Sequence, residues 1–246
     1  MASGIWAAAS GAVGQIAAMD VSTNNLVNAN TPGFKADATI FRRTYSDAVG
    51  MNAASSSIRS SVTRTVAPDL TPGMIVSTGR NLDAAIADDK GFFVVSTPSG
   101  NRYTRAGNFQ LRPDGALTSN EGLPVLSSGG QPVTIDPNTK DVQINRQGVV
   151  VVDGEPGPQL SIVRFANPEG LQKSAGVELV AGPSAGPPIA HDGGVEPRAL
   201  ELSNESAVSG MADEVTTSRV FDMTTRIIEA FSKIERSAAN DISKPA

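Results

Sequence analysis

Residues 92–115, FFVVSTPSGNRYTRAGNFQLRPDG, carry the pattern that decides the fold. A four-residue apolar run leads to the turn signal Pro98-Ser99-Gly100. A second run, NFQL at 108–111, leads to Pro113-Asp114-Gly115. Short apolar runs punctuated by proline and glycine indicate strands joined by tight turns. The same texture continues downstream. PVTI at 132–135, DVQI at 141–144, VVVV at 149–152, LSIVRF at 160–165 and VELV at 177–180 alternate with Asn120-Glu121-Gly122, Ser128-Gly129-Gly130, Asp136-Pro137-Asn138 and Asp153-Gly154. This punctuation, every roughly 8–12 residues, predicts a β-rich domain over 78–202. Within it, 181–199 is rich in proline and glycine, holds the only histidine and reads as a long surface loop.

Outside that block the period changes. Ile5, Ala9, Ala12, Ile16, Met19, Thr23 and Leu26 recur at alternating intervals of four and three, an apolar seam of heptad type. The seam is built of small residues, so a partner must come close. Gly4, Gly11 and Gly14 each weaken the helix by about 1 kcal/mol relative to alanine. An ordinary amphipathic core helix fits the same pattern. Near the C-terminus Val220, Met223, Ile227, Ala230 and Ile234 form a second seam, widened by Ile228 and Phe231. Asp222, Arg226, Glu229, Lys233 and Glu235 occupy the opposite face. The predicted fold is therefore mixed α and β: an all-β central domain flanked by N- and C-terminal α-helices that pair as a coiled coil. The expected segments are an N-terminal coiled-coil helix over 1–32, an extended arm or hinge over 33–77, the β-rich outer domain over 78–202 and a C-terminal coiled-coil helix over 203–246. Within the arm, 46–66 is small and polar, with marginal order expected of it. Thr31-Pro32-Gly33 reads as a turn after the first helix, and the same three residues recur at 71–73.

Composition narrows the function. Acidic residues exceed basic ones, giving a net charge of −5, and no Lys/Arg run could track a phosphate backbone. Nucleic-acid binding is not expected. With no cysteine, disulfides, zinc–thiolate sites and cysteine nucleophiles are excluded. No apolar stretch is long enough to span a bilayer, so direct membrane insertion is not expected. The N-terminal region is alanine-rich but lacks a basic leader and is broken by glycines, so it reads as mature sequence. Asp88-Asp89 and Asp114 sit beside turn residues and read as solvated turns. His191 has no Ser or Asp partner pattern. No catalytic residue, metal site or cofactor is expected, and the chain does not read as an enzyme.

The string TNNLVNANTPGFKAD at 23–37 resembles the signature that follows the N-terminal helix in flagellar axial proteins: rod, hook and hook-associated subunits. TGRNLDAAI at 78–86, GFFVV at 91–95, YTRAGNFQL at 103–111, DGALTSNEGLPVL at 114–126 and LELSN at 200–204 follow in the family's order, with Met211, Arg219, Phe221 and Met223 in its C-terminal helix signature. GRNLD and RAGNF look more like the proximal-rod members than the distal-rod or hook members. Glu205, Ser209 and Gly210 depart from the family pattern, so the second helix should start less firmly there. The resemblance implies a structural subunit of the bacterial flagellar basal-body rod, in the periplasm. It would be exported by the flagellar type III system and would polymerise into a helical tube that transmits torque and encloses the export channel. Its partners would be copies of itself, other flagellar rod proteins and the export apparatus. The implied assembly interface comprises Ile5, Ala9, Ala12, Ile16, Met19, Asn24, Asn25, Leu26, Asn28, Asn30, Pro32, Gly33, Phe34, Met211, Val220, Met223, Ile227, Ala230 and Ile234. Two local readings stay open. The asparagines either cap a helix end or bond a neighbouring subunit, and Phe34 and Phe41 are either core or, for Phe34, an anchor on a neighbour. A secreted β-rich binding module with oligomerising helices is the alternative class. A glycan hydrolase lacks a convincing acid pair.

Overall fold

The computed structural model describes residues 2–45, 60–137 and 139–242. Most of the polar stretch predicted as marginally ordered, 46–59, lies outside the described residues, as do the side chains of Ile5, Ala9 and Phe41. The chain divides into two compact units. One holds 1–26, 38–66 and 207–246; the other holds 27–37 and 67–206.

The first unit contains helix α1, Ala2–Val27, a strand pair, Asp37–Tyr45 with Ser60–Pro68, and helix α2, Ala207–Ile242. The expected coiled coil between the helices is not formed. Ile16 remains 47% exposed, Met223 58% and Ile227 51%, whereas knobs seated in holes would be buried. Polar links join α1 to α2: the Gln15 amide donates to the Thr217 carbonyl at 3.2 Å and the Thr23 hydroxyl to Glu214 at 3.3 Å. The half-buried stripe of α2 runs through Thr217, Ser218, Phe221, Thr224, Thr225 and Ile228. It is offset from the predicted seam and rich in hydroxyls. Thr224 and Thr225 donate to the carbonyls of Val220 and Phe221 one turn back, so their hydroxyls are satisfied within the helix. The predicted apolar stripe of α2 therefore faces water in the single chain.

The second unit is β-rich. Its largest sheet runs in the order 171–175, 178–181, 100–104, 92–97, 162–164, 189–190, with all neighbours antiparallel. A three-stranded sheet of 155–159, 149–152 and 142–144 and three strand pairs complete it. The FFVV run explains why one strand organises two cores. Alternate side chains of a strand point to opposite faces. Phe93 and Val95 join Phe109, Leu117, Val125 and Val150 on one side, while Phe92 and Val94 join Tyr103, Phe165, Leu171 and Leu179 on the other. Edge-to-face ring pairs fix each side: Phe93 with Phe109 at 5.1 Å, and Tyr103 with Phe165 at 4.8 Å. The turn signals do their expected work. Asp153 (φ 49°) and Gly154 (φ 88°) are both left-handed, the geometry that lets a two-residue turn follow strand twist. The stretch 181–199 is not the plain surface loop expected. It holds the strands Ile189–Ala190 and Val195–Pro197, and Ala185 and Val195 are buried, because two apolar residues suffice to pin a proline-rich segment to a core.

Gly107 shows how closely segments approach. A Cβ there would lie 1.6 Å from the Ala84 carbonyl oxygen, and the Ala84 N–H donates to the Gly107 carbonyl at 3.1 Å. Gly107→Ala must therefore displace backbone and is expected to cost about 1–3 kcal/mol. Urea unfolding of the full chain measures this; a loss below about 0.5 kcal/mol would contradict the close approach.

Candidate functional site

Three segments far apart in sequence meet within the β-rich unit: the strap 31–36 after α1, the stretch 69–76, and the strand Ala199–Glu201 with the residues that lead to α2. The strap begins with a local turn. The Thr31 N–H donates to the Asn28 carbonyl at 3.0 Å and the Phe34 N–H to the Thr31 carbonyl at 3.2 Å. Gly33 has φ 71°, and a Cβ on it would lie 2.1 Å from the Ala106 nitrogen. Only glycine satisfies both demands. Its N–H donates to the Glu201 carbonyl at 2.7 Å. Gly73, in the second Thr-Pro-Gly, donates to the Glu201 carboxylate at 2.9 Å, and a Cβ there would meet the Leu202 oxygen at 2.0 Å. The repeated tripeptide thus has one physical meaning: both copies seat their glycine against the same C-terminal strand.

The charges follow. Lys35 Nζ lies 2.5 Å from Glu201 Oε1, and Arg105 Nη1 lies 3.4 Å from Glu201 Oε2. All three residues are at most 3% exposed. Two cations thus share one carboxylate, and backbone carbonyls take further donors: Thr71 from Lys35 at 2.7 Å and Asp88 from Arg105 at 2.6 Å. The Arg105 guanidinium also lies 4.9 Å from the centre of the Phe92 ring. Burial pushes the Lys35 ammonium below its ordinary value despite Glu201, and does the same to Arg105. Asn204 closes the junction. Its side-chain oxygen accepts from the Ala36 N–H at 2.7 Å, and its amide donates to the Asp69 carbonyl at 2.8 Å. The arrangement can clamp backbone; its charges are spent on each other.

Of the sequence-predicted interface residues, Pro32, Gly33 and Phe34 come together here. Phe34 is 1% exposed, under the Lys173 ammonium at 3.8 Å, with Lys173 paired to Asp37 at 3.0 Å. The core reading of Phe34 holds. Asn25 is buried, and Asn28 caps the strap turn through its carbonyl and through its side-chain oxygen, which accepts from the Thr31 hydroxyl at 3.2 Å. Ala12, Met19 and Leu26 are half-buried in the other unit, and Met211, Val220, Ala230 and Ile234 are exposed on α2. Sequence reasoning missed Lys35, Arg105, Glu201 and Asn204, although each sits inside a quoted motif. A charged residue embedded in glycine and apolar neighbours was the available signal. It also missed that His191 Nε2 contacts the Asp88 carboxylate, 103 residues away. Burial opposes the charge on Asp88, yet the Lys90 N–H, His191 and the Gly91 N–H hold its carboxyl below the ordinary value. No group of three or more metal-ligating side chains gathers among the described residues.

Comparison with known proteins gives this geometry a context. Residues 5–35 match the family described as "Flagella basal body rod protein", and residues 86–152 match "Flagellar hook protein FlgE/F/G D1 domain". The chain is 30% identical over 226 residues to the flagellar basal-body rod protein FlgF of Caulobacter vibrioides, covering 92% of each chain. It is 32% identical to the flagellar basal-body rod protein FlgG of Bacillus subtilis, over 90% of this chain and 92% of that one. It is 33% identical to FlgF of Escherichia coli, over 85% and 86% of the two chains.

Removing one partner from a buried ion group leaves charge uncompensated, at a cost of about 3–5 kcal/mol. Glu201→Gln strands two cations and should lie in that range. Lys35→Met leaves Glu201 with Arg105 and should cost less. The double variant should cost less than the sum. Urea unfolding of the full chain reads all three, and a Glu201→Gln loss under about 1 kcal/mol would refute the assignment.

Proposed function

The chain belongs to the family of flagellar basal-body rod proteins, and from that premise we propose how it builds the rod. It is a structural subunit of the flagellar basal-body rod, and its matched relatives are rod proteins rather than enzymes. In the reading we favour, it occupies the proximal rod in the periplasm. There it polymerises with its own copies and with other rod proteins into a helical tube that encloses the export channel and transmits torque. The family implies delivery by the flagellar export apparatus. Identity to proteins named FlgF and FlgG is similar in degree, so the proximal position rests on the GRNLD and RAGNF wording.

One observation carries the assembly reading. Val208, Met211, Val215, Val220, Met223, Ile227 and Ile234 on α2 are all exposed in the single chain. Val220, Met223, Ile227 and Ile234 recur at intervals that keep them on one helix face, and an exposed apolar face of this kind marks an interaction site. Burying it between subunits supplies the driving force for association. On α1, a Cβ at Gly11 or Gly14 would meet no atom of the described residues outside the helix's own backbone within 4 Å, so the described chain does not use their small size. Close approach of a neighbouring subunit does. The assembly interface we propose comprises the seam Ile5, Ala9, Ala12, Ile16 and Met19, the residues Asn24, Leu26, Asn28, Asn30 and Pro32 after it, and Met211, Val220, Met223, Ile227, Ala230 and Ile234 on α2; Asn25, Gly33 and Phe34 are buried within the single chain and drop out of it. Identical units joined head to tail by such surfaces generate open helical assemblies.

Deleting the gene should abolish motility, and a deletion strain that remained fully flagellated and motile would overturn the function. Ile227→Glu should stop incorporation into the basal body while shifting the unfolding of the soluble chain by no more than about 0.5 kcal/mol, as expected for an exposed site. Gly11→Ala separates two roles of one residue. It should stabilise α1 in the free chain by about 1 kcal/mol, seen as increased helicity by circular dichroism, and lower the yield of assembled rod. Unimpaired assembly with bulky residues at both 11 and 14 would remove close packing from the account.

A further inference from the structure

The β-rich unit holds an open cavity of about 480 Å³ lined by the Phe92 and Phe165 rings. Both rings are buried, and they meet edge to face at 6.2 Å. Leu70 and Pro72 extend the apolar lining. The walls are held by bonds of the clamp. The Thr71 carbonyl takes Lys35, its hydroxyl takes the Asn204 amide at 3.2 Å, and the Phe92 ring carries the Arg105 guanidinium. The volume is in the range of cavities that bind a partner group. Because its walls are already fixed, little ordering cost is left for binding.

Two cations line this cavity without an acidic partner. Lys90 and Arg164 are both exposed, and neither side chain makes an ion pair or hydrogen bond among the described residues. Asp89, the acid in the lining, acts on the buried Arg105. The cavity therefore fits a large apolar group with an anion beside it. The start of α2 has that composition. Val208, Met211 and Val215 recur at intervals of three and four, so they share a helix face, and all are more than half exposed. Each precedes its counterpart Val220, Met223 or Ile227 by twelve positions. At 3.6 residues per turn, this face points about 120° away from the one at 220–234. Residues 205–218 hold Glu205, Asp213 and Glu214 and no lysine or arginine; the first cation, Arg219, comes a turn after Val215.

Resting on the assembly reading above, we propose that the cavity of one subunit receives the start of α2 from a second copy. Met211 enters against the Phe92 and Phe165 rings, and Glu214, one turn along, meets Lys90 and Arg164. An unbranched thioether side chain suits such a site, because it adapts to irregular space and packs favourably on aromatic rings. The charges select the partner segment: two free cations favour the stretch of α2 that carries only acids. Helix α2 then has two docking faces. The face at 208–215 meets the β-rich unit of one neighbour, and the face at 220–234 stays available to another. A surface on one copy that binds a different surface on the next is what an open head-to-tail assembly requires.

The cysteine-free sequence makes a direct test possible. Two differently tagged full-length chains are co-expressed, one with Met211→Cys and the other with Ala166→Cys at the cavity wall, and isolated basal bodies are treated with a short bismaleimide. Each chain has one cysteine, so a link between the two tags joins two copies. That linked pair is expected, at several times the yield obtained with Met223→Cys in place of Met211→Cys. Both chains present in the basal body without the pair, or with equal yield from Met223→Cys, would overturn the docking and leave the rod-subunit reading standing. Absence of the unsubstituted tagged chain from basal bodies would sink that reading and the docking with it. Should the cysteine chains fail to assemble, charge reversal decides. Lys90→Glu with Arg164→Glu should lower incorporation at least about tenfold without moving the urea midpoint of the soluble chain, and adding Glu214→Lys should recover most of it. Incorporation unchanged by the reversal, or not recovered, would overturn the proposal.

Discussion

The Glu201 carboxylate is the anion on which the rest of the β-rich unit depends. It meets Lys35 from the strap, Arg105 from the sheet and the Gly73 N–H from the second Thr-Pro-Gly, while its own carbonyl receives the Gly33 N–H. Neither cation could be buried at this depth without it, because an unpaired charge in the interior is expensive. Nor could apolar residues do the same work simply. A hydrophobic contact tolerates sliding, whereas one carboxylate shared by two cations and a backbone N–H fixes direction and register. Glycines at 33, 73 and 107 let the backbones come near enough for those bonds to form. The short motifs around these residues thus read as one junction divided among several places in the chain.

Much of the architecture was legible because it is local. Turn chemistry at Pro98-Ser99-Gly100 and Asp153-Gly154 and the runs at 92–95 and 149–152 specify strands within a few residues of themselves. The helical periods at both ends were equally visible. What failed was partnership. The seam of α2 was read correctly as apolar, and the partner assigned to it was wrong: α1 contributes polar contacts from Gln15 and Thr23, and the apolar stripe stays exposed. A heptad pattern says that a face must be covered and not by what. The same limit hid the Asp88–His191 contact. It joins residues whose neighbourhood is set by sheet order, and no spacing rule encodes that order.

The two units satisfy their surfaces differently. In the β-rich unit, Phe92, Phe93, Phe109 and Phe165 are buried and Lys35, Arg105 and Glu201 are paired with one another, while Met74, Ile75 and Val76 stay exposed. In the helical unit, α1 is rich in alanine and glycine, with little side-chain surface to bury, and α2 keeps its large apolar residues in water. The contrast separates a rigid element from an adhesive one. On the assembly proposed above, the first would supply shape and the second cohesion, and a substitution should betray its role by whether it alters monomer stability or only incorporation.

The ion group also sets an order on folding. Lys35 and Glu201 are separated by 166 positions, so the contact closes almost the whole β-rich unit at once. Loop-closure entropy must be met before such a contact gives anything back, and topologies dominated by distant contacts fold slowly. Until residue 201 is available, Lys35 has no anion, Phe34 has no finished wall and the strap cannot dock. The N-terminal segment therefore gains its stable position only after nearly the entire chain is present. For a subunit proposed to be delivered by the flagellar export apparatus, such a delay would be useful. The N-terminal residues carry a glycine-weakened helix and a strap whose cation lacks its anion, and neither fixes a compact structure without the strand at 199–201.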